Sequence, residues 1–369
     1  MTNREKAELH KTWWRRENAA PLVAPYIPSA SPYGGLDIEV PPASIVARKK
    51  ANAEVEAGLP GDTLIVAGVE FGPAFLPALA GAGFEHDGHT SWSIPAFRSA
   101  AEASVRPFDP AHPLFREYRR RLDSLLEHWS WDTYLPGLAD YLGPLDITAG
   151  LLGPETLAVE LLDNPQAVRR LAHEAAAFMA EVLDYERDLH RKAGLQGGVT
   201  DNFGVWLPGR GVRASEDFAA LVGPVQFDDF FVEADTRAYA NSDHVFMHVH
   251  SAACRNMPGF LRTRAIGAIE LGNDPNGPDL SARLESAQLI QASGRALQFG
   301  SWEIPLPAAE IERAMRTLAP RGLLVRFQLR PGEAPAEHIA WVRRLCRAHN
   351  EEPVAPLADG KAAGMGEGK

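Results

Sequence analysis

Eight short runs of apolar, β-branched and aromatic residues recur along the chain, starting near residues 22, 63, 145, 197, 244, 265, 296 and 322. From 145 onward, helical patterns separate most of them. Strands joined through helices pair in parallel, because a parallel partner needs a long crossover. Eight such units suffice to close a cylinder. The reading is therefore an α/β fold, a (β/α)8 TIM barrel with an N-terminal helical extension. The alternative is an open doubly wound sheet, which favours a Gly-rich phosphate loop after its first strand. Neither G-x-G-x-x-G nor a P-loop occurs in this sequence.

The chain divides into an N-terminal arm with the first strand (1–60), the rest of the barrel (61–350) and a tail (351–369). The tail's Gly, Ala and Lys content reads as disordered. Residues 4–18 suit an amphipathic helix anchored by Leu9, Trp13 and Trp14. Pro25 and Pro28 make the first strand irregular. Residues 63–71 read as a buried strand ending at Glu70, which is either a pocket carboxylate or the acceptor for a helix N-terminus. Residues 85–92 read as a polar loop. Its His86, Asp87 and His89 suit solvent better than a metal, because adjacent loop ligands need a rigid frame. Helical spacing marks 114–128, and 145–153 reads as a strand. A long helix follows Asp163 or Asn164 as cap, with Pro165 in its first turn, and ends near Gly194. Residues 197–204 read as a strand opening into a loop, with Asp201 and Asn202 at its exit.

With 45% hydrophobic and 23% charged residues, the chain is globular in composition. Its net charge of −11 argues against non-specific nucleic-acid binding, which relies on cations against phosphates. Two cysteines, Cys254 and Cys346, are too few for a disulfide framework, so a reducing, cytoplasmic setting is expected. The first residues lack the apolar core of a signal peptide. No stretch reaches the ~20 apolar residues of a membrane span.

Chemistry collects on the stretch from His244 to Cys254. His248 and His250 are two residues apart, so on a strand both face one way. Cys254 follows within a turn. In a barrel this exit end is where reactions occur. Two histidines and a thiol are metal donors, although an apolar-flanked Cys is also an ordinary core residue. The strand ends would bring together Glu70, Asp201, Asn202, His248, His250, Cys254, Glu270, Asn273, Trp302, Glu303 and Gln328. Arg326 and Arg330 are the basic residues near the last strand end. Within this set, His248, Asp201 and Glu70 are candidate catalytic groups. Asn202, Asn273, Trp302, Glu303 and Gln328 are candidate substrate contacts. His248, His250, Cys254 and Glu270 are candidate metal ligands. No nucleophile-elbow Ser is present.

Several segments resemble the uroporphyrinogen decarboxylase superfamily, which also holds corrinoid-dependent methyltransferases. They are Leu151–Leu157, Leu162–Val168, Asp217–Phe218, Gly223–Phe230, the strand ending in His248-Val-His250, and Leu329–Pro335. The resemblance covers roughly 140–345 and, more weakly, 10–100. It implies a (β/α)8 barrel and either decarboxylation or methyl transfer. The decarboxylases carry an Arg-rich motif near the first strand, whereas Leu22–Ser31 contains no Arg. The methyltransferases hold zinc through His-x-Cys on this strand and a later Cys. Here His250 stands in the first Cys position and Phe327 in the second. The resemblance thus implies a methyl or alkyl transferase with zinc and a corrinoid carried by a partner protein. A metal-free lyase and a ligand-binding barrel without turnover are the alternatives.

Overall fold

Runs such as His244–Val249 and Leu323–Gln328 are rich in β-branched and aromatic residues and lack Gly and Pro, which suits strands buried on both faces. A computed structural model describes residues 1–26, 35–275, 277–301, 305–329 and 332–351. The strands that build the site are β1 (Leu22–Tyr26), β2 (Val66–Ala67), β3 (Leu135–Pro136), β4 (Tyr141–Leu142) and β5 (Gly211–Ser215). They continue with β6 (His244–Val249), β7 (Ile266–Leu271), β8 (Ala296–Ser301) and β9 (Leu323–Gln328). Seven of them form one parallel sheet in the order β1-β9-β8-β7-β6-β5-β4. β2 and β3 form a separate parallel ladder, and Gly137 bridges to Thr200. Among the described residues no ladder joins β1 to β2. A parallel α/β sheet is therefore shown, and a closed eight-stranded cylinder is not. Between those two strands, Asp62 donates its N–H to Val23 O and accepts from Val23 N at Oδ2, both at 2.8 Å.

The N-terminal helix Asn3–Trp14 carries a capping box at Thr2 and Glu5. It packs at the N-terminal ends of the strands. Trp13 meets Phe246 edge-on at 5.7 Å, and Trp14 Nε1 donates to Trp206 O at 2.8 Å. His10 joins the same layer, bonded to Asp62 O and Trp206 N; burial pushes its pKa down to about 3, so it stays neutral. The expected helices at 114–128 and from Pro165 to near Gly194 are present as Pro113–His128 and Pro165–Lys192, and Pro42–Ala57 and Leu280–Ala292 are helical too. Asn164 occupies the cap position before Pro165, but its side chain donates back to Glu160 instead of capping.

Four expectations are corrected or narrowed. Residues 145–153 are not a strand but the helix Pro144–Leu152, started by Pro144 and stopped by Gly153 at φ 85°. Burial on most sides fills this helix with apolar residues, which hides its period. The strand of this region lies earlier, in β3 and β4, and is interrupted by Pro136 and Gly137. The run Gly198–Thr200 pairs antiparallel with Trp206–Pro208, so the main-sheet strand here is β5, beyond a turn at Gly209. Residues 85–92 belong to a hairpin, Gly83–His86 against Ser91–Ile94, and not to a loop alone. The predicted strand at 63–71 makes ladder bonds only at Val66–Ala67. The predicted tail beyond Glu351 lies outside the described residues, and Glu351 itself ends the helix Pro335–Glu351.

Candidate functional site

Parallel register places Ser215 (β5), His248 (β6), Glu270 (β7) and Gln298 (β8) side by side. Residues in register share a face of the sheet, and Arg213, two before Ser215, shares it too. These groups are buried, so they must satisfy one another. Arg213 donates to Glu270 Oε2 through Nη2 at 2.8 Å and Nε at 3.0 Å. Gln298 Nε2 donates to Glu270 Oε1 at 2.7 Å. Arg213 Nη1 also reaches Asp140 Oδ1 at 3.3 Å, and its guanidinium lies over the Phe203 ring at 4.2 Å. Burial alone would raise the Glu270 pKa, but Arg213 and His248 hold it well below the usual carboxylate range.

The candidate site lies where β5, β6 and β7 end. Glu270 Oε2 is 3.3 Å from His248 Nδ1. His250, just past β6, sits between the exits of its two neighbours. Its Nδ1 is 2.6 Å from Asp274 Oδ1, and its Nε2 is 3.3 Å from Asp217 Oδ1. Asp274 is held in turn by the backbone N–H and hydroxyl of Ser251. Burial opposes charge on His250, yet Asp217 and Asp274 push its pKa up to about 11. Burial would likewise raise Asp274, but His250 and Ser251 bring it down to about 2. The two imidazole rings meet edge-on at 4.8 Å between centroids.

Asp217, His248 and His250 present ligand atoms that all lie within 4.8 Å of one another. Two imidazoles and one carboxylate form a donor set that fits a divalent ion such as zinc. Each imidazole also has a carboxylate at Nδ1, the arrangement that orients ligating histidines.

The other sequence-predicted residues fall around this group. Asp201 is buried at the tip of the 198–208 hairpin. Its Oδ1 accepts from Phe203 N and Val205 N, and its Oδ2 is 3.9 Å from Arg213. Burial pushes its pKa up to about 6, against the pull of Arg213. Glu70 is buried beyond β2 and accepts from Gly72 N at 2.7 Å, so it caps its own turn and not a helix. Burial and nearby Asp140 push its pKa up to about 8. Asn202 is seated against Gly68 and Gly137; a Cβ at Gly68 would stand 1.6 Å from its Oδ1. Asn273 and Gln328 are half-buried at the ends of β7 and β9. Cys254 is outside the His248–His250 group and lies beside Ser286 and Arg283. Trp302, Glu303 and Arg330 lie outside the described residues.

Sequence reasoning missed Asp140, Arg213, Asp274 and Gln298, and did not assign Asp217 to the site. Asp217 carried a signal, since it opens one of the segments that resemble the superfamily. Arg213 carried a weaker one, a lone cation in the apolar run from Gly211 to Ser215.

A solved structure of a methyltransferase from Methanosarcina mazei is similar to this chain, with a TM-score of 0.63 and 11% identity. The match covers 94% of this chain and 99% of that one. At this identity the likeness shows the fold. No family model matches the sequence, and no curated protein does. No helix among the described residues is long and apolar enough to cross a membrane.

Proposed function

We propose that the protein is a metal-dependent methyl or alkyl transferase acting on a thiol or a corrinoid-linked substrate. The observation that carries this reading is the convergence of Asp217, His248 and His250, each histidine backed by its own carboxylate. The fold shared with a methyltransferase supports it, as does the resemblance in sequence. On this reading the parallel sheet is a barrel, and the site is its C-terminal mouth. Asp217, His248 and His250 would hold a divalent ion, zinc by preference. When bound, such an ion lowers the pKa of a coordinated thiol, so that the nucleophile is ready near neutral pH. Glu270 fixes the His248 ring, and Arg213 and Gln298 fix Glu270. Asp274 fixes His250 in the same way. Asp201, with its pKa pushed up to about 6 and 3.9 Å from Arg213, is the group that would exchange a proton with substrate.

The test is methyl transfer from methylcobalamin to small thiols, with zinc removed and restored. Transfer that depends on zinc and is lost in His248→Ala supports the reading. Zinc-independent transfer, or none with any thiol, contradicts it. A second reading, a metal-free lyase on a small carboxylic acid, draws on the raised pKa of Asp201 as general acid. Carbon dioxide release that survives chelation would favour it.

A further inference from the structure

We propose that the cavity beside Asp217 and His250 receives an uncharged, apolar part of the substrate and turns away anionic groups. This rests on the reading of that site as the reaction centre. The cavity measures about 530 Å³, in the range of small-molecule sites. Four prolines, Pro73, Pro77, Pro95 and Pro154, line it. Their fixed φ angles make its wall stiff before anything binds. Gly150 lets the helix Pro144–Leu152 close on Pro77, where a Cβ would come within 2.5 Å. Trp92, Leu142, Phe218 and Leu221 supply apolar faces. Trp92 is held by a hydrogen bond from Nε1 to Glu85 at 3.2 Å, yet is 43% exposed; Leu221 is 63% exposed. Large apolar side chains left open at the rim of a cavity gain by being covered.

Charge gives the selectivity. Among the described residues no Lys or Arg lines the cavity; the charged types there are Asp146, Asp217 and His250. His250 already lies between Asp217 and Asp274. Asp146 is engaged by the backbone N–H groups of Asp217 and Phe218, both at 2.7 Å. A carboxylate or sulfonate entering here would shed water, and the one imidazolium it meets, His250, is already held by Asp217 and Asp274. A neutral ring or branched alkyl group packs on Trp92, Leu142, Phe218 and Leu221 without needing a counter-charge.

The experiment is a fluorescence titration of the full chain with neutral N-phenylnaphthylamine and with anilinonaphthalenesulfonate, its sulfonated counterpart. The neutral probe is expected to saturate at one site per chain and to bind about tenfold more tightly than the sulfonate. Filling the cavity with Ala149→Phe or Ala220→Phe should weaken the neutral probe by about tenfold or more. Equal affinity for the two probes overturns the proposal. So does affinity unchanged in both variants when their circular dichroism is native. If Ala149→Phe does not fold, Ala220→Phe decides. Zinc content is measured on the same samples. Probe selectivity without bound zinc removes the metal reading and keeps the cavity assignment. Bound zinc without selectivity removes the cavity assignment alone.

Discussion

Two groups of buried carboxylates flank the end of β5, and their surroundings differ in sign. On one side Glu270 takes two hydrogen bonds from Arg213 and one from Gln298, and stays ionised. On the other, Asp146, Glu216 and Asp235 gather beside Tyr239, and no Lys or Arg bonds to them among the described residues. Burial and mutual repulsion push Glu216 well above the usual range, and burial pushes Asp235 up to about 7. The same residue types are thus anionic in one pocket and protonated in the next. Two-point contact with a guanidinium outweighs burial at Glu270, whereas the looser approach of Arg213 to Asp140 and Asp201 does not. With Arg213, Glu270 is a permanent acceptor that can hold an imidazole; without a cation, Glu216 keeps its proton.

The largest effect should come from Arg213→Leu. It leaves Glu270 charged, buried and without its cation, so urea denaturation should show a loss of about 3–5 kcal/mol. A loss under about 1 kcal/mol would mean that Glu270 is not held as described.

The second cluster predicts a pH slope of its own. Asp235 keeps its proton in the folded protein up to about pH 7, whereas the unfolded chain releases it near 3.8. Its contribution to stability is therefore full below the lower value and is lost as pH rises toward the higher. Between these limits wild type should lose roughly 2–4 kcal/mol relative to Asp235→Asn. Parallel stability curves for the two proteins would erase the contrast between the clusters.

Glu270→Gln keeps the shape but weakens the acceptor behind His248. On the metal reading, zinc affinity should fall about 10–100-fold in competition with a chromophoric chelator. The smallest effect belongs to a residue outside both clusters. His89→Ala, in the exposed hairpin turn, should change stability by less than about 0.5 kcal/mol and leave zinc content unchanged.

Much of the scaffold was legible because β6 to β9 are uninterrupted runs that read as strands on composition alone. Before residue 215 most of the helices and β1 were legible, but the other strands were not. There β2, β3 and β4 make two-residue ladders, and the apolar run at 144–152 is a buried helix that reads as a strand. The histidine pair was visible from its two-residue spacing. Glu270 was visible as a carboxylate near the end of a strand, but its role was not. Its partner Arg213 lies on a strand hidden behind a hairpin, and the register that joins them is set by the sheet. Asp217 and Asp274 flank His250 because β5 and β7 flank β6, a fact of strand order that local spacing does not encode.

Bound metal tests directly whether Asp217, His248 and His250 hold an ion. Protein purified without a histidine tag should carry close to one zinc per chain, and the His248→Ala/His250→Ala variant should carry almost none. Wild-type protein without stoichiometric metal, indistinguishable from that variant after zinc is supplied and excess removed, would contradict the account.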